Sequence, residues 1–228
     1  MTPILKTKAG GIDSRPAFQI SRGRIESFLT PGRARALRAE FARSHVIRLP
    51  GLLEPALLRR IQQEMAASTF YAARSEDFDR RCRPKARDLD VLLTILLNAP
   101  TVFRAIESLT GLSDVRGVSG RVYRMLPRKH RLDWHGDNFP ARLCALTVNV
   151  AAKPFKGGAF QLRRKPDGPI SSHEIGAPGD GLLFRISPEL IHRSAPVLGR
   201  TPKDIFACFA FDRTVEPLAA DDYGGPPR

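Results

Sequence analysis

Cysteine is nearly missing. Cys82, Cys144 and Cys208 are the only three in 228 residues, and no two of them form a CxxC pair. An odd, scattered set argues against a disulfide framework or a structural zinc site, and it fits a reducing, cytoplasmic setting best. Long apolar runs are missing too. The longest stretches, such as Val91–Leu97, fall far short of the ~20 residues that cross a bilayer. No apolar segment with a small-residue cleavage site follows Met1, so no signal peptide is expected. Acidic residues are outnumbered, 23 against 37 Lys and Arg, for a formal net charge of +14. Such a surplus favours anionic partners. The arginines are nevertheless spread along the chain (Arg33, Arg35, Arg38, Arg43, Arg59, Arg60). There is no basic stripe with interleaved aromatics, no zinc-finger spacing and no RNP-like motif, so nucleic acid is not the expected partner.

What is present changes character along the chain. Residues 1–25 are polar and rich in Gly, Pro, Ser and Arg, and read as a loose arm or an edge strand. Residues 26–115 read as mainly helical. Thr30 is placed to cap a helix with Pro31 at its first position, and Ala36, Leu37 and Phe41 recur at helical spacing. A short strand follows His45, then an amphipathic helix over Glu54–Ala67. The charged stretch 70–87 reads as a surface loop or, alternatively, a lid. Residues 90–97 and 100–110 read as helices. From about residue 116 to 213 short β-rich runs are separated by Gly and Pro: 120–126, 144–151, 159–163, 181–186 and 204–211. The tail 214–228 is expected to fray. Helices first and strands later predict an α+β fold in one domain, a β-sandwich or barrel with helices packed outside.

Only five histidines are available. His135 lies two residues before Asp137 in Trp134-His-Gly-Asp-Asn, and on extended backbone such residues share a face. His192, in Leu190-Ile-His-Arg-Ser, is the best third ligand. Two neutral imidazoles and a carboxylate suit Fe(II) and leave three coordination positions open, room for a chelating co-substrate and dioxygen. His45, His130 and His173 sit in a turn, a basic run and a loop and are not assigned to metal. Trp134 points away from His135 on an extended segment and reads as scaffold.

HxD alone is a weak motif; the order of its surroundings is specific. Gly120-Arg-Val-Tyr-Arg-Met-Leu precedes it, and Ala145-Leu-Thr-Val-Asn-Val follows it. Then come Phe155-Lys-Gly-Gly-Ala-Phe, Ala177-Pro-Gly-Asp-Gly-Leu-Leu-Phe, His192-Arg-Ser-Ala-Pro-Val and a basic residue entering the last run. This set resembles the Fe(II)/2-oxoglutarate-dependent dioxygenases, the prolyl 4-hydroxylase-like branch in particular, over roughly residues 118–212. The resemblance implies a double-stranded β-helix, a cupin-like jelly roll. It also implies Fe(II) held by His135, Asp137 and His192, with 2-oxoglutarate and dioxygen as co-substrates. The implied reaction hydroxylates an unactivated C–H of an amino-acid, peptide or small-metabolite substrate, with succinate and carbon dioxide as co-products. The family's halogenases replace the carboxylate with a small residue; Asp137 is kept here, which favours hydroxylation, with desaturation or ring formation from the same site as variants. Two rivals stay open: a nucleic-acid demethylase of the same superfamily, and a non-catalytic cupin-like metal-binding protein.

The distal carboxylate of the co-substrate requires a cation. Lys203 lies 11 positions after His192 and Arg200 lies 8 after it. The family places this residue at the start of the last strand, so Lys203 is favoured and Arg200 kept. Tyr123 either donates to the co-substrate or packs the core, and Arg121 on the same strand is a second option. Asn149, polar within an apolar run, is a candidate to line the pocket.

Overall fold

A computed structural model of the chain describes residues 16–75, 79–85 and 87–215. Most of the expected arm, 1–15, and the tail from 216 lie outside the described residues.

Helices and short strands alternate in the first half. They are β1 (Phe18–Ile20), β2 (Ile25–Ser27), α1 (Pro31–Ser44), β3 (Val46–Leu49), α2 (Pro55–Ala67), β4 (Phe70–Ser75), β5 (Asp79–Pro84), α3 (Asp88–Leu97) and α4 (Pro100–Thr110). The caps explain the boundaries. The Thr30 hydroxyl accepts from Arg33 N, and α1 ends at His45, whose φ of 61° turns the chain into β3. The Glu54 carboxylate accepts from Ala56 N and Leu57 N at the start of α2. Each helix buries one stripe: Leu57, Ile61 and Met65 on α2, and Leu89, Leu93 and Leu97 on α3, both at a spacing of four. Phe41 of α1 is fully buried, which contributes ~1.5–3 kcal/mol. Among the described residues, no single helix is long and apolar enough to cross a membrane.

The second half is β6 (Gly117–Met125), β7 (Arg131–His135), β8 (Arg142–Asn149), β9 (Lys156–Gly157), β10 (Phe160–Arg164), β11 (Ser171–His173), β12 (Gly181–Arg185), β13 (Leu190–Ser194), β14 (Val197–Leu198) and β15 (Lys203–Phe211). One antiparallel sheet runs in the order β11-β10-β13-β7-β5-β6-β15-β8-β12-β3, with β4 paired to β5. This sheet folds over so that its two ends face each other. Phe160 of β10 and Phe184 of β12 lie near opposite ends of the strand order, yet their ring centroids are 4.5 Å apart. Alternation then gives each central strand two jobs. Val118 and Val122 of β6, Leu146 and Val148 of β8, and Phe206, Cys208 and Ala210 of β15 pack against the helices. Tyr123, Ala145 and Ile205 on the same strands face inward and form a second cluster with Phe160, Leu162 and Phe184.

Two expectations need correction, and one open alternative is decided. Residues 70–87 are not a loop: β4 and β5 form a hairpin, and β5 is inserted in the sheet between β7 and β6. The strand was hidden because its inward positions are Arg81 and Arg83 rather than apolar residues. The end of the arm takes the edge-strand alternative: β1 pairs with β2, and Ala17, Phe18 and Ile20 are buried in the core. His173 lies on β11, paired with Phe160 of β10, not in a loop.

Candidate metal centre and its pocket

β7 and β13 are neighbours, and their register sets His135 directly opposite His192. A cross-strand pair on one face brings the rings together; the centroids are 4.3 Å apart. Asp137 follows β7 by two residues and turns its carboxylate into the same space. Its Oδ2 is 3.3 Å from His192 Nε2 and 3.9 Å from His135 Nε2. One ligand atom from each residue lies within 4.8 Å of the others.

The surroundings prepare these atoms to bind a cation. His135 Nδ1 is 2.7 Å from the Asp133 carbonyl, so it carries the proton there and leaves the Nε2 lone pair facing Asp137. Burial, reinforced by the neighbouring His192, pulls the His135 pKa down to about 4, which keeps the imidazole neutral. Burial alone would raise Asp137. The hydrogen bond from His192, joined by the charge of Arg142, outweighs it and holds the carboxyl below its usual range. Phe160 stacks on the His192 ring at 5.4 Å and Phe184 tilts against it at 4.9 Å, which fixes its orientation. Two imidazole nitrogens and a carboxylate converging in a half-dry site fit a divalent transition metal, iron(II) included.

The triad opens on a cavity of about 710 Å³ between the two faces of the folded-over sheet. Lys203, the first residue of β15, lines it. The side chain is 3% exposed, and its ammonium donates to the Gly158 carbonyl at 2.6 Å and to Ser194 Oγ at 3.0 Å. Burial, and next the charge of Arg81, lowers Lys203 to about 8. The Gly-Gly turn makes this approach possible. Gly157 and Gly158 have φ near +72° and +71°, and a Cβ on Gly158 would come within 2.9 Å of the Lys203 Cδ. Tyr123 also lines the cavity, with the Arg81 guanidinium 3.6 Å above its ring.

Two sequence candidates sit elsewhere. Arg200 is exposed in the turn before β15 and is not among the cavity-lining residues. Asn149 is 2% exposed and is not a cavity residue either; its amide donates to the Gly176 carbonyl and accepts from Ala151 N, tying β8 to the turn ahead of β12. Its burial was readable, but not that backbone partners would consume both ends. Arg121 is buried at 5% exposure yet does not line the cavity. Trp134 lies between the guanidinium groups of Arg163 and Arg193, outside the cavity. Residues that the sequence reading passed over are Arg81, Arg83, Arg142, Ser194 and Phe160, all of which line the cavity. Arg81 and Arg83 did leave a signal, the period-two spacing of a strand in Arg80-Arg-Cys-Arg-Pro.

No protein-family model matches this sequence, and no curated protein matches it. Solved structures do. The chain is similar to an oxidoreductase of the 2OG-Fe(II) oxygenase family from Burkholderia pseudomallei, with a TM-score of 0.61 and 18% identity over 79% of this chain and 91% of that one. It is similar to a Pseudomonas putida prolyl-4-hydroxylase, with a TM-score of 0.59 and 18% identity over 79% and 99%. It is also similar to the epimerase SnoN, solved with Fe3+, alpha ketoglutarate and nogalamycin RO, with a TM-score of 0.59 and 14% identity over 87% and 97%. These likenesses establish the fold: the mixed helix-and-sheet fold shared by 2-oxoglutarate and iron oxygenases.

Proposed function

We propose that the chain is a non-haem Fe(II)/2-oxoglutarate-dependent dioxygenase that hydroxylates an unactivated C–H of an amino-acid, peptide or small-metabolite substrate. The observation that carries this reading is the convergence of His135 Nε2, Asp137 Oδ2 and His192 Nε2 on a cavity that also holds the buried Lys203 ammonium. The folded-over sheet around it is read as a jelly roll.

His135 and His192 donate nitrogen lone pairs and Asp137 a negative charge. When bound there, iron(II) supplies the oxygen chemistry that no side chain performs. Lys203 receives the distal carboxylate of 2-oxoglutarate, and Tyr123 lies on the same wall for a hydrogen bond. Phe160, Phe184 and Leu182 line the cavity beside His192 and exclude water from the ligands. The exposed Arg200 and the tied-down Asn149 have no part in this reading. A reducing, cytoplasmic location is part of this reading, on the strength of three scattered cysteines with no CxxC pair.

Anaerobic loading with Fe(II) and 2-oxoglutarate tests the reading. The wild type is expected to develop a visible charge-transfer band. His135→Ala, Asp137→Ala and His192→Ala are each expected to remove the band and weaken iron binding at least tenfold. Full iron binding in all three variants sinks the assignment. Product analysis then separates hydroxylation from desaturation, ring closure or inversion at carbon.

A further inference from the structure

The three ligands of the triad are held in different ways. His135 and His192 stand on neighbouring strands, in register. The His135 ring is fixed by the Asp133 carbonyl at 2.7 Å, and the His192 ring by Phe160 and Phe184. Asp137 has no strand beneath it, because β7 ends at His135 and β8 begins at Arg142. A carboxylate on irregular backbone has two equivalent oxygens to offer and two side-chain bonds about which to turn. Yet its oxygens are sorted. Oδ2 faces the imidazoles, 3.3 Å from His192 Nε2 and 3.9 Å from His135 Nε2, while Oδ1 faces Arg142 Nη1 at 3.6 Å.

Arg142 is itself well fixed. It opens β8, paired with Phe211 of β15, and its side chain is 10% exposed. The guanidinium carbon lies 4.5 Å from the Phe139 ring centroid and 4.0 Å from that of Phe209. The turn between the ligand and the cation is short and tied. Phe139 N donates to the Asp137 carbonyl at 2.8 Å, and Arg142 N to the Phe139 carbonyl at 3.2 Å. An exposed ion pair contributes little, because both side chains lose freedom in making it. Here burial and the two rings have already removed that freedom from the guanidinium. A cation placed in this way behind a ligand orients it, as the partners of metal-bound carboxylates do elsewhere.

Resting on the proposed oxygenase reading, we infer that Arg142 is a positioning residue: by holding Asp137 Oδ1 it presents Oδ2 alone to the ion. A carboxylate left to turn can close both oxygens on one metal and fill two positions. A held one gives a single oxygen, so the triad supplies three atoms and leaves three positions of an octahedron open. A chelating co-substrate and dioxygen together need all three. The charge of Arg142 by itself does something else. A cation beside the site repels a divalent ion and so changes affinity, but not the number of protein atoms bound. The number of open positions therefore separates positioning from charge.

The test counts the exchangeable water ligands on bound Mn(II), from the broadening of its paramagnetic resonance lines in water enriched in oxygen-17. The wild type without co-substrate is expected to carry three. Arg142→Gln is expected to carry two, because the released Oδ1 closes on the ion. Arg142→Lys, which keeps a cation within reach of Oδ1, is expected to restore three. A count of three in Arg142→Gln overturns the inference, and so does a count below three in the wild type. If Arg142→Gln takes up no Mn(II), Phe139→Ala decides the matter. It strips one ring from the clamp, leaves the charge in place and removes a side chain that is 55% exposed, so the core stays intact. A mean count below three in that variant supports the inference, and a count of three overturns it. Failure of the wild type to take up Mn(II) at all counts against the oxygenase reading instead, and is measured first.

Discussion

Lys203 shows what burial does to a single cation. Its ammonium is buried, hydrogen-bonded to two neutral oxygens and lowered to about 8. Between about pH 8 and the ordinary lysine value of 10.5 the unfolded chain holds a proton that the folded one has released. This group's contribution to stability therefore rises with pH across that window, and below it the buried charge costs about 3 kcal/mol. A bound carboxylate offsets that cost. The ammonium is the form that binds anions, so 2-oxoglutarate affinity is expected to fall about tenfold per pH unit above pH ~8. Lys203→Arg, which stays charged, should flatten that profile. Titrations of affinity against pH in both proteins check this. At pH 7, Lys203→Ala should raise the apparent dissociation constant at least tenfold, and Arg200→Ala less than twofold; comparable losses in both would move the anchor away from Lys203. Spacing from His192 left both cations open in the sequence. Burial separates them, and burial depends on which residue begins β15 and which stays in the turn.

At the scale of elements, the site depends on how closely β6 approaches β15. Gly120 sits where the two strands meet, and a Cβ there would collide with Cys208 Cβ and come within 2.6 Å of the Ala207 carbonyl. Gly120→Ala must therefore separate two central strands rather than rotate one side chain. A loss of about 2–3 kcal/mol is expected, or a fall in melting temperature of roughly 4–12 °C. An unchanged melting curve would show that the strands part freely. The helices and the five longer runs after residue 116 were legible because periodicity and Gly or Pro punctuation mark them. β7 and β13, which carry His135 and His192, lie outside those runs. Their sequences, Arg131-Leu-Asp-Trp-His and Leu190-Ile-His-Arg-Ser, are too polar to read as core strands. The polarity is the candidate site itself: inward positions that would hold apolar residues hold His135 and His192. β5 was missed for the same reason, with arginines at the inward positions.

For the molecule as a whole, the triad joins β7, the turn after it and β13, which are more than fifty residues apart in the chain. An ion held there binds the folded state and not the unfolded one. At a free concentration 100-fold above its dissociation constant it should add about 2.7 kcal/mol, a rise of roughly 5–10 °C in melting temperature. Thermal denaturation with Fe(II) or Mn(II), and again with excess chelator, measures it. The shift should vanish in Asp137→Ala. A shift that persists in that variant would place the metal elsewhere.

By itself the sequence determined the helical first half, the strand-rich second half, and the His135, Asp137 and His192 set, because local periodicity and the order of short motifs are written in consecutive residues. Tertiary structure alone decided which charges face the cavity. Lys203, Arg81 and Arg142 are inward while Arg200 is exposed and Arg193 turns to Trp134, although all five are cations beside β-strands. Charge is a property of a residue. Its direction is set by strand pairing, by the folding over of the sheet and by the backbone left open at Gly158, and none of these is local.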